Sequence, residues 1–411
     1  MKLADLIAEW LGSDLPVRLE CYDGSSAGPA DARANLTVNS PDALRRIIQA
    51  PGELGFARAY VSGDLDVSGD IFAALELRDR MPEAKLNPRQ LGRLLAAAGP
   101  SALRRLPAPP EEIRLRGPRH TRQRDAAAVS AHYDVGNDFY RLVLGPTLTY
   151  SCAVFRDRSD SLETAQENKY RLVSQKLGLE TGMRLLDVGC GWGGMVLHAA
   201  THHGVDAVGV TLSREQATLA SKRVAEAGLG TDISIRVQDY RDIDDGPFDA
   251  ISSIGMFEHV GEARLREYFS RLYRLLPPGG RLLNHGISRP PGPSSRFARA
   301  GFIDRYVFPD GELHEVGRVV SVMQDAGFEV RHVESLREHY ALTLRAWVAN
   351  LERHWDEAVD LVGTGRARIW RLYMAASALN FEAGRNSIHQ VLGVRAAGGR
   401  SGMPLRPYWS T

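Results

Sequence analysis

From about residue 160 onward, the hydrophobic positions fall into short continuous runs, separated by stretches in which apolar residues recur at helical spacing. The runs predict strands over Arg184–Val188, Ala207–Val210, Ile233–Gln238, Ala250–Ser253 and Arg281–His285. The stretches between them predict helices over Gly194–His203, Ser213–Ala227 and Leu265–Leu276, and Ser161 is placed to cap a helix running to Leu177. Short apolar strands alternating with helices predict a mostly parallel sheet covered on both faces. After residue 288 prolines and glycines punctuate the chain, and a long helical stretch over Tyr340–Phe381 precedes a terminal segment MPLRPYW.

The first 100 residues mix both periodicities. Leu3, Leu6, Ile7, Trp10 and Leu11 lie on one helical face. Ser40 and Pro41 form an N-cap and first-turn pair for a helix through Ile47 and Ile48. Residues 51–70, rich in glycine and aspartate, read as turns around short strands. Residues 101–128 carry Pro107, Pro109, Pro110 and Pro118 among Arg104, Arg105, Arg114, Arg116, Arg119, Arg122 and Arg124. They read as an extended linker, or as a basic strip for anionic phospholipid head groups. The expected organisation is a smaller α+β domain over 1–100, a linker over 101–128 and an α/β domain over 129–411. No internal repeat interrupts it.

Composition narrows the functional classes. The chain has 411 residues, 44% hydrophobic and 25% charged, with a formal net charge of +1. That balance suits folded domains and gives no global attraction to nucleic acid. Cys21, Cys152 and Cys190 are too few and too scattered for a disulfide framework, which fits a reducing cytoplasm. Asp5 and Glu9 interrupt the amino-terminal segment, so it does not read as a signal peptide. No apolar run approaches 18 residues, so a lipid substrate would be met from the aqueous side, with the protein peripheral at the inner membrane face.

The most informative segment is Leu185-Leu186-Asp187-Val188-Gly189-Cys190-Gly191-Trp192-Gly193-Gly194: a strand end, a glycine-rich turn and a helix start. Glycine there permits a sharp turn and lets a ligand lie against bare backbone. A nicotinamide dinucleotide site would place an acidic residue at the tip of the second strand. Here that strand ends in Thr211-Leu212-Ser213-Arg214-Glu215-Gln216, and the third ends in Gln238-Asp239-Tyr240. Asp187 with these two polar segments suits an adenine, a ribose and an amino-acid tail, the parts of S-adenosylmethionine.

Other polar groups follow later strands: Glu258 and His259 after the fourth, His285 at the end of the fifth. Cys152, Glu258 and His285 lack the short spacing of a zinc site, and no metal is expected there.

At these residues the chain resembles the cyclopropane-fatty-acyl-phospholipid synthase family. The resemblance rests on AHYDVGNDFY (131–140), LTYSCAVF (148–155), LLDVGCGWGG (185–194), GVTLSREQ (209–216), QDYRD (238–242), GMFEHVG (255–261), RYVFPDGEL (305–313) and HYALTLRAW (339–347). It runs from about residue 125 to the end and covers the first 100 residues more loosely. In the tail the chain looks closest to the actinobacterial branch, which includes makers of 10-methylene and 10-methyl (tuberculostearic-type) acyl chains.

The resemblance implies a class I S-adenosylmethionine-dependent methyltransferase fold with a smaller lipid-associating domain. It implies a cofactor site of Tyr150, Ser151, Asp187, Gly189, Gly191, Trp192, Gly193, Thr211, Leu212, Ser213, Gln216, Gln238, Asp239 and Tyr240. It also implies a bicarbonate ion held by Cys152, Glu258, His285, the backbone at Ile287, and Tyr340. The family often has Thr after the histidine, where this chain has Gly286. A homodimer or higher homo-oligomer is implied, and a separate reductase if the product is a methylene.

The reaction so implied adds the methyl carbon of S-adenosylmethionine to the cis double bond of a phospholipid acyl chain. The product is a cyclopropane or, alternatively, a 10-methylene chain. Tyr133, Phe139, Tyr140, Phe155, Phe257, Tyr306, Tyr340 and Trp347 are candidates to line an acyl tunnel and face the developing cation. Two rival readings remain: a methyltransferase acting on a small-molecule nitrogen or oxygen, and a lipid-binding protein without activity.

Overall fold

A helix over Leu3–Leu11 opens the chain and buries Leu3, Leu6, Ile7 and Leu11, four of the five positions on its predicted apolar face. In the computed structural model, which describes residues 2–12, 15–80, 92–93, 96–97, 104–115, 117–125, 128, 135–292 and 301–409, the chain forms two compact units. One comprises residues 1–114, 296–307 and 354–379; the other comprises 115–295, 308–353 and 380–411. The first contains a four-stranded sheet of β1 (Arg18–Cys21), β2 (Ser26–Ala27), β3 (Ala34–Val38) and β4 (Leu65–Gly69), in the order β2-β1-β3-β4. Its Pro41–Gln49 helix starts where expected: Ser40 accepts a hydrogen bond from the Asp42 amide, and Pro41 occupies the first turn.

A buried charge cluster ties this unit's segments together. Glu112 accepts a fork of hydrogen bonds from Arg58, at 2.8–3.0 Å, and a further one from Arg305 at 2.6 Å. The Tyr306 hydroxyl donates to it at 3.3 Å. Burial alone would raise the Glu112 carboxyl, but these donors outweigh it and hold the group below its ordinary range. Arg371, also buried, donates to the Val67 and Gly69 carbonyls and the Tyr60 hydroxyl.

The second unit is built on a seven-stranded sheet: β5 (Arg184–Val188), β6 (Asp206–Thr211), β7 (Ile233–Val237), β8 (Ala250–Ile254), β9 (Arg281–Ser288), β10 (Glu329–Ser335) and β11 (Ser387–Val394). Their order is β10-β11-β9-β8-β5-β6-β7. From β7 to β9 all pairings are parallel. Leu186 and Ile251 pack on one face beneath the Leu265–Leu275 and Val316–Asp325 helices. Leu185 and Ala250 pack on the other beneath Leu162–Leu177 and Gly194–His203. Ser161 caps its helix as expected, accepting from the Thr164 amide.

Two expectations need correction. The sheet is mostly parallel as expected, but two strands were not foreseen, β10 and β11, and β11 lies antiparallel between β9 and β10. The stretch over 340–381 is three helices, Arg337–Arg353, Trp355–Val362 and Thr364–Glu382, broken at His354 and at Gly363, whose φ is +79°. The basic segment is also less solvated than a linker reading implies. Arg119 and Arg124 pair with Asp310 and Arg122 with Asp242, whereas Arg104, Arg105 and Arg114 are exposed. Arg116 lies outside the described residues.

Glu112→Ala should lower stability by about 2 kcal/mol, the order of a hydrogen-bonded charge lost while its arginines remain partly hydrated. Because the Glu112 carboxyl is depressed when folded, its contribution is present above the usual carboxylate value of 4.5 and is lost as pH falls below it. Urea midpoints should therefore separate the two proteins at pH 7 and converge in acid. Equal midpoints at pH 7 would show that the cluster adds nothing.

Candidate active site

The parallel strands end at one edge of the sheet, and the side chains just past their carboxyl ends converge there. After β5 the chain turns through Gly189, Gly191 and Gly193, with φ of +80°, +55° and +80°, and then enters the Gly194–His203 helix. The Gly189 and Cys190 amides both bond the Val210 carbonyl on β6, at 2.9 and 3.0 Å. At Gly194 a Cβ would lie 2.0 Å from the Tyr170 hydroxyl, so no side chain fits.

A pocket opens at this turn, lined by Tyr150, Ser151, Asp187, Gly189, Gly191, Trp192, Thr211, Leu212, Gln216, Gln238, Asp239 and Tyr240. All were expected from the sequence. Two expected residues do not line it. Ser213 caps the Arg214–Glu226 helix by accepting from the Gln216 amide, and Gly193 shapes the turn beside Ala220. Asp239 faces the pocket while held in a fork by Arg241, at 2.6 and 2.8 Å. Arg241 also reaches Asp125, at 3.1 Å.

The lining also includes residues the sequence reading missed, chief among them Lys169. This lysine is 1% exposed, donates to the Ser151 hydroxyl at 3.2 Å and stands 3.7 Å above the Tyr170 ring. Burial pushes it down to about 7, against the opposing pull of Asp187. Burial likewise pushes Asp187 up to about 6, against the hydrogen bond from Ser252, at 2.6 Å, and the charge of Lys169. Register sets the Ser252 contact, since Asp187 lies opposite Ser252 across β5 and β8. The overlooked signal was spacing: Gln166, Lys169, Val173 and Lys176 recur at the three- and four-residue steps of a buried helix face, and all four are buried.

The second expected set gathers around β9. Glu258 accepts the Ile287 amide on Oε1 at 2.7 Å, so that backbone group is already engaged. Oε2 has no hydrogen-bond partner among the described residues, nor has Nε2 of the fully buried His285. Gln390, opposite His285 on β11, lies 3.1 Å from its Nδ1. Lys176 donates to Gln390 Oε1 at 2.6 Å, and an ammonium only donates. The amide's Nε2 therefore faces His285, whose Nδ1 accepts, which leaves the imidazole proton on Nε2. Burial, with Lys169 and Lys176 nearby, keeps this imidazole neutral, and burial pushes Glu258 up to about 7. The Cys152 thiol and the Tyr340 amide both donate to the Leu336 carbonyl, at 3.7 and 3.1 Å, and burial pushes the thiol well above its ordinary value.

Aromatic rings extend from the pocket toward Tyr340. Trp192 and Tyr140 are 4.9 Å apart, Tyr140 and Tyr150 5.9 Å, Tyr150 and Trp347 5.3 Å, Trp347 and Tyr340 6.0 Å, and Tyr340 and Phe381 4.8 Å. Phe139 packs edge-on against Tyr140. Phe257 fills the space above Gly286, where a Cβ would lie 1.9 Å from its ring, which explains the glycine after His285. Phe155 stacks on His339. Tyr306 belongs to the first unit, on Glu112, and Tyr133 lies outside the described residues.

Glu258 makes one stability prediction. Its folded value, about 7, exceeds the ordinary 4.5. Its contribution therefore favours the fold below pH 4.5 and is lost as pH rises through 7, by at most about 3 kcal/mol. The melting temperature of the wild type minus that of Glu258→Gln should fall between pH 5 and 8. A difference that is flat across this range would mean that the carboxylate ionises freely.

Comparison with known proteins accords with this geometry. Residues 120–391 match the family model for mycolic acid cyclopropane synthetase. A protein named probable fatty acid methyltransferase, from Mycobacterium tuberculosis, is 47% identical over 406 residues, 96% of this chain and 95% of its own. The tuberculostearic acid methyltransferase UfaA1 of the same organism is 33% identical over 94% of this chain and 90% of its own. The solved structure of the mycolic acid cyclopropane synthase CmaA1 complexed with SAH and CTAB superposes with a TM-score of 0.62, at 36% identity, over 65% of this chain and 97% of that one. The glycine turn, the polar groups at the strand ends and this extent of similarity identify the chain as a member of the mycolic acid cyclopropane synthetase family, an S-adenosylmethionine-dependent methyltransferase.

Proposed function

We propose that this enzyme transfers the methyl carbon of S-adenosylmethionine to the cis double bond of an unsaturated acyl chain on a membrane phospholipid, with a cyclopropane as product. The observation that carries the reading is the pairing of two sites in one unit. A cofactor-type pocket with an aromatic row running from it shares the unit with a buried histidine and carboxyl group whose outer atoms, His285 Nε2 and Glu258 Oε2, have no partner among the described residues.

In this reading the glycine turn and Gln238–Tyr240 receive the adenosine. Lys169 and Ser151 offer donors to the carboxylate of the methionine tail, and Asp187 accepts from its ammonium. An alkene is a poor nucleophile, so the enzyme's main task is to hold it in line with the S–CH3 bond. Positioning of this kind supplies up to roughly 7–11 kcal/mol. Methyl transfer breaks the S–CH3 bond, forms a C–C bond and leaves a cation on the acyl chain, for which aromatic faces supply on the order of 2 kcal/mol.

A proton must then leave the transferred methyl group, and the C–H bonding pair closes the ring on the cationic carbon. His285, with a proton on Nε2, can donate; Glu258, pushed up to about 7, can donate when protonated and accept when ionised. A small oxyanion such as bicarbonate fits these atoms, with Cys152 and Tyr340 alongside, and bound there it would supply the base. The CTAB held by the solved relative, a long-chain amphiphile, supports an acyl-shaped site here too. Exposed Arg104, Arg105 and Arg114 support approach to an anionic lipid surface. Among the described residues no helix is long and apolar enough to cross a membrane.

The similarity to a tuberculostearic acid methyltransferase favours a second product. If a 1,2-hydride shift precedes proton loss, a 10-methylene chain results, which a separate reductase would convert to a methyl branch. Incubation with S-adenosylmethionine and oleoyl-phospholipid vesicles should add one CH2 to the acyl chain by mass spectrometry. Catalytic hydrogenation under mild conditions takes up H2 at a methylene but leaves a cyclopropane intact. No mass gain, with S-adenosylmethionine still bound, would overturn the lipid reading in favour of a small-molecule nitrogen or oxygen acceptor.

Lys169→Met should weaken S-adenosylmethionine binding about tenfold, or about 1.4 kcal/mol. The wild-type affinity should also fall as pH rises past about 7, where Lys169 loses its proton. Calorimetric titration between pH 6 and 9 tests both. A variant that binds as tightly as the wild type, with the same pH profile, would remove Lys169 from the cofactor site.

A further inference from the structure

In the second unit, among residues given no role above, three potential ligands meet. Glu167 projects from the Leu162–Leu177 helix. His198 and His202 project from the Gly194–His203 helix, where their four-residue separation puts both rings on one face. The sequence reading weighs a metal only at Cys152, Glu258 and His285 and does not reach this cluster. His198 Nδ1 lies 3.0 Å and His202 Nε2 3.7 Å from the same oxygen, Glu167 Oε1, and the two rings are 4.5 Å apart. All three ligand atoms lie within 4.8 Å of one another. Ligands about 2.1 Å from a tetrahedral ion stand about 3.4 Å apart, so small side-chain rotations would complete the geometry.

We propose that Glu167, His198 and His202 form a binding site for one divalent transition-metal ion, of which Zn2+ fits best. Two imidazoles and one carboxylate suit zinc and its neighbours, whereas calcium and magnesium prefer oxygen alone. The His198 side chain is 6% exposed; its Nδ1 meets the Glu167 carboxylate, and its Nε2 has no hydrogen-bond partner among the described residues, an unusual state for a buried polar ring. His202 and Glu167 are about half exposed, which gives the ion a path in and leaves room for water to complete its shell.

The ion would join two helices that both border the cofactor pocket. One carries Lys169 and Tyr170; the other begins at Gly194, immediately after the glycine turn. Tyr170 stacks 5.6 Å from His198 and bonds Thr149 on the pocket wall at 2.7 Å. The site is structural in this reading and takes no part in methyl transfer. Lys169 and Arg171 add positive charge nearby, which weakens the affinity of the site for a cation.

The test uses the full chain, freed of any histidine tag and stripped of metal by chelator, titrated with Zn2+ against a chromogenic zinc indicator. One equivalent should bind, and Zn2+ should raise the melting temperature. Co2+ in its place should give the visible absorption of a tetrahedral or five-coordinate site. His202→Ala and Glu167→Gln, both at half-exposed positions, should keep the metal-free melting temperature, weaken Zn2+ binding at least about tenfold and lose the thermal shift. Absence of stoichiometric binding by the wild type, or undiminished binding by both variants, would overturn the proposal; the second result would place the ion at another site.

Discussion

Gln390 couples the chemistry of the site to the fold. It sits opposite His285 across the β9–β11 pairing, and its amide is polarised from the far side by Lys176. That chain of donors leaves His285 one arrangement, with Nδ1 accepting and Nε2 carrying the proton. A histidine in a dry strand would otherwise choose freely between tautomers, and the proposed role of His285 as a donor through Nε2 depends on this one. The same strand supports the other members. The Leu336 amide bonds the Ile388 carbonyl on β11, and the Leu336 carbonyl then receives the Cys152 thiol and the Tyr340 amide. A strand contributed by the last part of the chain thus orders residues from three earlier segments.

Around this frame the second unit buries charge to an unusual degree. Lys169, Lys176, Asp187 and Glu258 are all buried, and desolvation pulls each toward its neutral form. Such groups cost stability, so the burial of four of them in one unit is an argument for function. For the proposed chemistry the dryness is useful. A carbocation in contact with water would be trapped as an alcohol, whereas an apolar, ring-lined space with proton-transfer groups held at one side lets the cation survive until a proton leaves. The magnitudes rank the contributions: alignment of alkene and sulfonium accounts for several times what ring quadrupoles supply.

How far the sequence announces this arrangement depends on how local each signal is. The glycine turn, the strand-end Asp187 and Gln238–Tyr240, and the caps at Ser40 and Ser161 are written in a few adjacent residues, and they appear where expected. β10 is an edge strand whose residues are only half-buried and include Glu329, Arg331 and Glu334, so it lacks an apolar run. β11 is apolar, but its partners lie about a hundred residues earlier in β9, and nothing near it in sequence marks the pairing. With β11 unseen, Gln390 could not be connected to His285. Lys169 was hidden for a different reason: a lysine in an amphipathic helix ordinarily faces water, and only its place on the same stripe as Gln166 and Val173 suggests otherwise. Gly286, a departure from the family's usual threonine, becomes intelligible only with the ring of Phe257 against it.

The two products proposed share every step up to the cation and differ in whether a hydride moves before the proton leaves. His285 is fixed by β11 and Glu258 by the Ile287 amide, so the proton-accepting side of the site has little freedom to differ between outcomes. The acyl chain has more. In the proposed reaction its cationic carbon sits closer to or farther from that side according to how the chain is held, and the rings from Tyr150 to Phe381 are the candidates to hold it. A grip that holds the new methyl group against the base favours immediate proton loss and ring closure. One that holds it away gives the hydride time to shift. Product choice in this enzyme should therefore reside in the aromatic row, and in the shape it gives the acyl chain, rather than in the buried histidine and carboxyl group.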